Sequence, residues 1–296
     1  MKKTLIITTI LSLTFNLAHA TLGDRISPQF WEGSAIEISK EVRDKILFLS
    51  AHDPLVTVMP VTDNGEPLVD LLAMNHPRIK LITDIPGHDK ALKYLTHHTI
   101  EEVKSGHFTK VRRGLYENLL KMLDYLPPNI GIAYVFGYQN LDYMKGVFDD
   151  NVRKGLNSGL NLDNAYNKAA ALITPFVKGS TNSYASGAAI AMTLFKTDSP
   201  AGLLDLGAIG SNVKNTTRQL FAPGISDTEK KNRRMLVEAA TRAGFVSYGE
   251  LWYFYSYGDQ IWALLNKKIH AIYGLVTQED RDLNLTTKDE YLKSFR

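Results

Sequence analysis

The chain has 296 residues and a mass of 33.1 kDa, with 44 % hydrophobic and 22 % charged residues; this is ordinary globular composition and excludes a disordered chain, a collagen-like repeat and a coiled coil. The formal charge is +3, but two of the 34 basic residues, Lys2 and Lys3, lie in a leader-like stretch, and the remaining 32 face 31 acidic residues, so no basic patch for nucleic acid is implied. Cysteine is absent, with a count of 0, which excludes a disulfide scaffold, thiolate zinc sites, iron–sulfur clusters and cysteine nucleophiles.

Residues 1–20 read as a secretory signal peptide. Lys2 and Lys3 form a basic start, an apolar run follows from Leu5 to Leu17, and Ala18-His19-Ala20 supplies a small–x–small cleavage site. The mature protein is expected to begin near Thr21 and to be periplasmic or secreted. No later stretch has the roughly 18 apolar residues of a membrane span. A helix is expected over residues 109–126, where Val111, Leu115, Leu119, Met122, Leu123 and Leu126 recur at helical spacing before Pro127-Pro128. A strand follows at 130–136, with Ile130, Ile132, Tyr134 and Phe136 alternating with Gly131, Ala133 and Val135. Another helix is expected over 141–153. Residues 185–195 are small and apolar and read as a turn entering a buried strand.

Ser226-Asp227-Thr228-Glu229 is a capping box, with acids at the positive helix end. That helix should run to Ala243, and Gly244 is a natural left-handed stop. Residues 245–246 and 251–257 look like strands. A last helix is expected over 259–269, with Trp262, Leu265 and Ile269 on one side. Strands and helices mix without strict alternation, which points to one α+β domain with a mixed or antiparallel sheet and flanking helices. The expected divisions are a signal peptide at 1–20, an N-terminal extension at 21–65, the main domain at 66–275 and a C-terminal tail at 276–296.

General catalytic motifs fail. There is no Gly-x-Gly-x-x-Gly, no phosphate loop, no Gly-x-Ser-x-Gly elbow and no His-Glu-x-x-His. His97-His98 is a weak ligand pair, because adjacent side chains on a regular element diverge. Asn215-Thr216-Thr217 and Asn284-Leu285-Thr286 match the glycosylation sequon, a short pattern with little weight.

Several segments nonetheless follow one another in a recognisable order. They are Glu66-Pro67-Leu68-Val69-Asp70 with His76-Pro77-Arg78-Ile79, then Phe136-Gly137-Tyr138-Gln139-Asn140, then the run from Ser183 through Gly187 to Leu194. Leu204-Asp205-Leu206-Gly207, Asn232-Arg233-Arg234-Met235-Leu236, Ala243-Gly244-Phe245-Val246, Trp252 and Ser256-Tyr257-Gly258-Asp259 come after them. From about residue 66 to 263 the chain resembles the zinc D-alanyl-D-alanine dipeptidases, the family of the vancomycin-resistance dipeptidase. The resemblance implies a dipeptidase-like α+β fold. It also implies a zinc ion held by two His and one Asp, a Glu that takes a proton from the zinc-bound water, and an Arg that stabilises the oxyanion.

In this chain those positions are replaced. Alignment on Gly187 puts Tyr184 at the first His and Ala191 at the Asp. Alignment on Ser256-Tyr257-Gly258-Asp259 puts Phe254 at the second His and Leu251 at the Glu, with Glu250 one residue off. Gln139 stands where the Arg should be. Losing a partner behind the ligands costs roughly 10–100-fold; here the ligands themselves are gone, and a missing base costs about another 10²–10⁴. The resemblance therefore implies a pseudoenzyme with no cofactor, whose binding residues would be Gln139, Tyr184, Trp252 and Phe254, and whose partner would be a cell-wall peptide or an envelope protein. Alternate aromatics such as Trp252, Tyr253, Tyr255 and Tyr257 also read as half core. The alternative is an active D-alanyl-D-alanine dipeptidase of peptidoglycan metabolism, with zinc on ligands placed elsewhere, or a pocket that uses Glu250, Asp205 and Tyr184. Release as a secreted factor is a third possibility that the leader allows.

Overall fold

The structure, a computed structural model, describes residues 37–51, 53–88, 108–175, 180–199, 202–209, 217–278 and 287–295. All of them fall in one compact unit, Ala35–Arg296. The leader, the His97-His98 pair and both sequon asparagines lie outside the described residues.

Eight strands are described: β1 Ile46–Leu47, β2 Leu68–Asp70, β3 Ile79–Leu81, β4 Lys110–Arg112, β5 Ile130–Phe136, β6 Ala189–Lys196, β7 Val246–Tyr248 and β8 Leu251–Ser256. Six form a sheet in the order β1-β7-β8-β6-β5-β3, and β2 pairs with β4 in a second, two-stranded one. The outer pairs β1–β7 and β3–β5 are parallel and the inner pairs antiparallel, so the sheet is mixed. With the flanking helices this is the expected α+β class. The residues of β5 are buried on both faces up to Phe136, so its alternating pattern reflects two covered faces rather than one wet one.

The longer helices are α1 Arg113–Leu123, α2 Leu141–Asn157, α3 Leu162–Ala170, α4 Asp227–Arg242, α5 Gln260–Leu265 and α6 Lys288–Ser294. Helices α1 and α4 pack on each other and on the sheet. Leu115, Leu119, Met122 and Leu123 are the buried side of α1, at the spacing that places residues on one helical face. The capping box of α4 is formed: Glu229 donates its amide to Ser226 Oγ, and the Glu229 carboxylate accepts the Ser226 amide. Gly244 ends that helix at φ +99°, a conformation glycine adopts without steric cost.

Four expectations need correction. Residues 110–112 belong to a strand, so α1 starts at Arg113 rather than at 109; pairing with residues 68–70 takes those backbone groups. Helix α2 runs on to Asn157. Helix α5 is shorter than expected, because Asn266 caps it and Lys267 takes φ +54°. Ile269 consequently lies outside the helix and 75 % exposed rather than on its inner side. Helices α3 and α6 were not anticipated. Phe148 of α2, Tyr166 of α3 and Tyr291 of α6 pack ring against ring at 5.3–5.5 Å, so these helices share one core. Among the described residues, no helix is long and apolar enough to cross a membrane.

Candidate functional site

Three neighbouring strands place Phe136, Ala191 and Phe254 in one row. Ala191 of β6 lies opposite Phe136 of β5 on one side and Phe254 of β8 on the other. Directly opposite residues of antiparallel strands project to the same face. The Tyr184 ring meets this row edge-on, at 5.2 Å from Phe136 and 5.5 Å from Phe254. Tyr248 adds a further edge-on contact to Phe254 at 6.1 Å. Tyr184, Ala191 and Phe254, far apart in sequence, are therefore gathered at one place. Gln139 adjoins them, its amide donating to the Tyr184 carbonyl at 3.3 Å.

The turn before β6 sets the position of Tyr184. Asn182 Oδ1 accepts the amides of Tyr184 and Ala185 at 3.0 and 3.1 Å, a side-chain mimic of a backbone turn. The amides of Ser186, Gly187 and Ala188 then return to the carbonyls of Asn182, Tyr184 and Ser183. Gly187 has φ +69°, and a Cβ there would stand 2.5 Å from Leu68 Cδ2, so the turn requires glycine both for its dihedral and for the close approach.

Behind the turn, Asp259 is buried. It accepts Ser183 Oγ–H at 2.6 Å, Ser256 Oγ–H at 3.0 Å and the Trp262 amide at 2.8 Å. One carboxylate thus ties the turn, the end of β8 and the start of α5. Desolvation raises its pKa above the ordinary value, and these hydrogen bonds work against that rise. Arg112 holds the opposite side of the turn. It donates to the carbonyls of Ser186, Glu66 and Gly274 and pairs with Asp63 at 3.2 Å.

The residues that the resemblance puts at ligand positions do not fit a zinc ion. Ala191 and Phe254 are buried hydrocarbon without a donor atom. Burial, and secondarily the Tyr253 phenol, pushes the Tyr184 phenol well above its usual range, which disfavours the phenolate a metal would need. Among the described residues, no three His, Cys, Asp or Glu side chains gather closely enough to hold a metal. Leu251 opens β8 opposite Tyr248. Glu250 is committed elsewhere: its carboxylate accepts from Gln219 Nε2 at 3.0 and 3.1 Å and faces Arg218 at 3.4 Å. Asp205 is exposed and accepts the Gly207 amide, as a turn residue does.

Trp252 was expected at a binding surface; it is buried, donates its indole N–H to the Ala208 carbonyl at 3.1 Å and lies under the Arg233 guanidinium. It packs the core instead. Sequence reasoning missed Phe136 and Tyr248. Phe136 had a signal, since it closes the expected strand immediately before Gly137-Tyr138-Gln139. Tyr248 had none, because only the β7–β8 hairpin brings its ring to Phe254.

Residues 157–273 match the family model described as D-ala-D-ala dipeptidase. That stretch includes Tyr184, Ala191, Glu250, Leu251, Trp252 and Phe254 but not Gln139. Among curated proteins none matches the chain. Among solved structures, the chain is similar to a mutant of the vancomycin-resistance D,D-pentapeptidase VanY from a VanB-type resistance cassette, in complex with Zn(II). The identity is 18 %, over 58 % of this chain and 84 % of that one, with a TM-score of 0.33. Over residues 157–273, then, this chain is D-Ala-D-Ala dipeptidase-like.

Proposed function

We propose that this chain is an exported, non-hydrolytic relative of the D-Ala-D-Ala dipeptidases that binds a cell-wall peptide or a protein partner in the envelope. The observation that carries this reading is the aromatic row. Of the positions that the resemblance aligns with zinc ligands, Tyr184 packs edge-on against Phe254, and against the neighbouring Phe136, beside Ala191, which lies in register between the two Phe residues. Such ring pairs contribute about 0.5–1.5 kcal/mol each beyond the area they bury, so the row stabilises the fold where a metal site would have required polar groups. Without a metal, no water of lowered pKa forms at neutral pH. Gln139 offers only a neutral donor where an Arg would hold an oxyanion. Export rests on the leader-like residues 1–20.

The test is metal content and turnover of the exported protein, whose intact mass should start near Thr21. Expected are no bound zinc after dialysis against zinc and no D-alanyl-D-alanine hydrolysis, with or without chelator. Chelator-sensitive turnover at ordinary enzyme rates, roughly 1–10³ per second, would sink the reading and favour the active dipeptidase.

A further inference from the structure

The chain carries a single Asn-Gly step, Asn64-Gly65, in the loop that leads into β2. The loop is held on both sides of that step. Thr62 and Asn64 donate their amides to the carbonyls of Ala271 and Ile272, each at 3.0 Å. Asp63 pairs with Arg112 at 3.2 Å. The Glu66 carbonyl accepts from Arg112, and the Glu66 carboxylate accepts the Gly114 amide at 3.0 Å and the Tyr273 hydroxyl. Between these anchors Asn64 and Gly65 are exposed. The Gly65 amide donates to no other described residue. Gly65 has φ +74°, and even a Cβ there would meet nothing within 4 Å, so its nitrogen is unshielded.

The Asn64 side chain is aimed at that nitrogen. Its Oδ1 accepts the Glu66 amide at 3.0 Å, a bond that curls the side chain back along the chain and sets Cγ beside the Gly65 nitrogen. If that nitrogen attacks Cγ, Oδ1 becomes an oxyanion, and the Glu66 amide already stands at the distance from which a backbone donor stabilises one. Asn157 supplies the contrast. It too is exposed and precedes a small residue, but the Ser158 amide is spent on the carbonyls of Lys154 and Gly155, both at 3.1 Å.

We propose that Asn64 deamidates spontaneously in the folded chain, and that the isoaspartyl product loosens the loop from Arg112. The Gly65 nitrogen attacks Cγ of Asn64 and passes its proton to hydroxide. The Cγ–Nδ2 bond breaks, ammonia leaves, and a five-membered succinimide remains. Water then opens the ring at either carbonyl, giving aspartate or isoaspartate. The net reaction consumes one water and releases one ammonia, with no change of oxidation state. Isoaspartate adds a methylene to the main chain between Asp63 and Glu66, the two residues that Arg112 holds. Either product also brings a carboxylate beside theirs. The inference does not depend on whether the aromatic row hydrolyses, binds or does neither.

The experiment ages the full chain in mildly alkaline buffer made with H₂¹⁸O and maps its peptides by mass spectrometry, with fragmentation that separates aspartate from isoaspartate. Expected is conversion of Asn64 ahead of Asn157, mostly to isoaspartate, with ¹⁸O retained in the product. Asn64 should convert at a similar rate in the native and in the urea-unfolded chain. Asn157 should convert about tenfold faster once unfolded, the freeing of about one hydrogen bond. The aged chain should unfold at a lower thermal midpoint, whereas Asn64→Gln, whose longer side chain would have to close a six-membered ring, should keep its midpoint when aged alike. The proposal is overturned if Asn64 outlasts Asn157 in the native chain, if Asn64 accelerates on unfolding as much as Asn157, or if aspartate forms without isoaspartate. A midpoint unchanged by ageing, or one that falls equally in Asn64→Gln, overturns it as well.

Discussion

Asp259 takes three hydrogen bonds while buried, and its pKa is nonetheless raised from 3.8. Between the ordinary value and the raised one, the unfolded chain has lost its proton and the native chain has not, so this group's contribution to stability falls as pH rises through that window. Asp259→Asn removes the titration and disturbs the hydrogen bonds. Its cost should be about 1–3 kcal/mol in acid and should shrink as pH rises from about 4 through the native pKa. Urea unfolding of both proteins across that range measures it, and a cost that grows with pH would contradict the raised pKa. At this scale the sequence was legible where residues could be compared with a pattern. Tyr184, Ala191 and Phe254 were named from Gly187 and from Ser256-Tyr257-Gly258-Asp259, and they do meet. Trp252 carried two readings, binding surface and half core, because an aromatic residue on a strand has the same appearance whether it faces a groove or lies beneath a guanidinium such as Arg233; its burial decides for the core.

Helix α4 was legible because both its ends are written locally: Ser226 and Glu229 at one end, Gly244 at the other. Ser226→Ala should accordingly cost about 1 kcal/mol, read as a lower midpoint in urea. Helix α6 also carries a capping box, from Thr287 and Glu290, yet it is short, and short helices owe their stability to packing rather than to caps. Its anchor is Tyr291, packed edge-on against Phe148, tilted against Tyr166 and donating to Asp149 at 2.7 Å. Tyr291→Ala should release α6 alone: amide exchange at 288–294 should accelerate while the amides of β6 keep their protection. Loss of protection in β6 as well would mean that α6 supports the whole sheet. Helix α3 escaped notice because, apart from Tyr166, its buried side is Ala165, Ala169 and Ala170, and small residues give a weak hydrophobic signal. The start of α1 was misplaced because Val111 fits a helical face as well as it fits a strand, and only the distant partner at residues 68–70 decides between them.

Across the whole molecule, Arg112 gathers residues that are far apart in the chain. Its guanidinium serves carbonyls at 66, 186 and 274 and the carboxylate of Asp63. Arg112→Met should cost about 3–5 kcal/mol, the usual penalty for removing one partner of a buried ion pair, and calorimetry should show a single lowered transition. A cost under 1 kcal/mol would mean that the segments hold together without it. None of this convergence was legible in the sequence, where Arg112 is one of 34 basic residues in a stretch expected to be helical. The sheet carries the same separation to its edge. Strand β1, near the start of the described chain, pairs with β7, and Lys45 beside it donates to the Leu265 carbonyl 220 residues away. Contacts of such sequence separation form slowly, because a long loop must close before they stabilise anything. During synthesis, therefore, β1, the first of the described strands, waits for its partner β7 until residues 246–248 have followed, and the sheet edge it completes closes late.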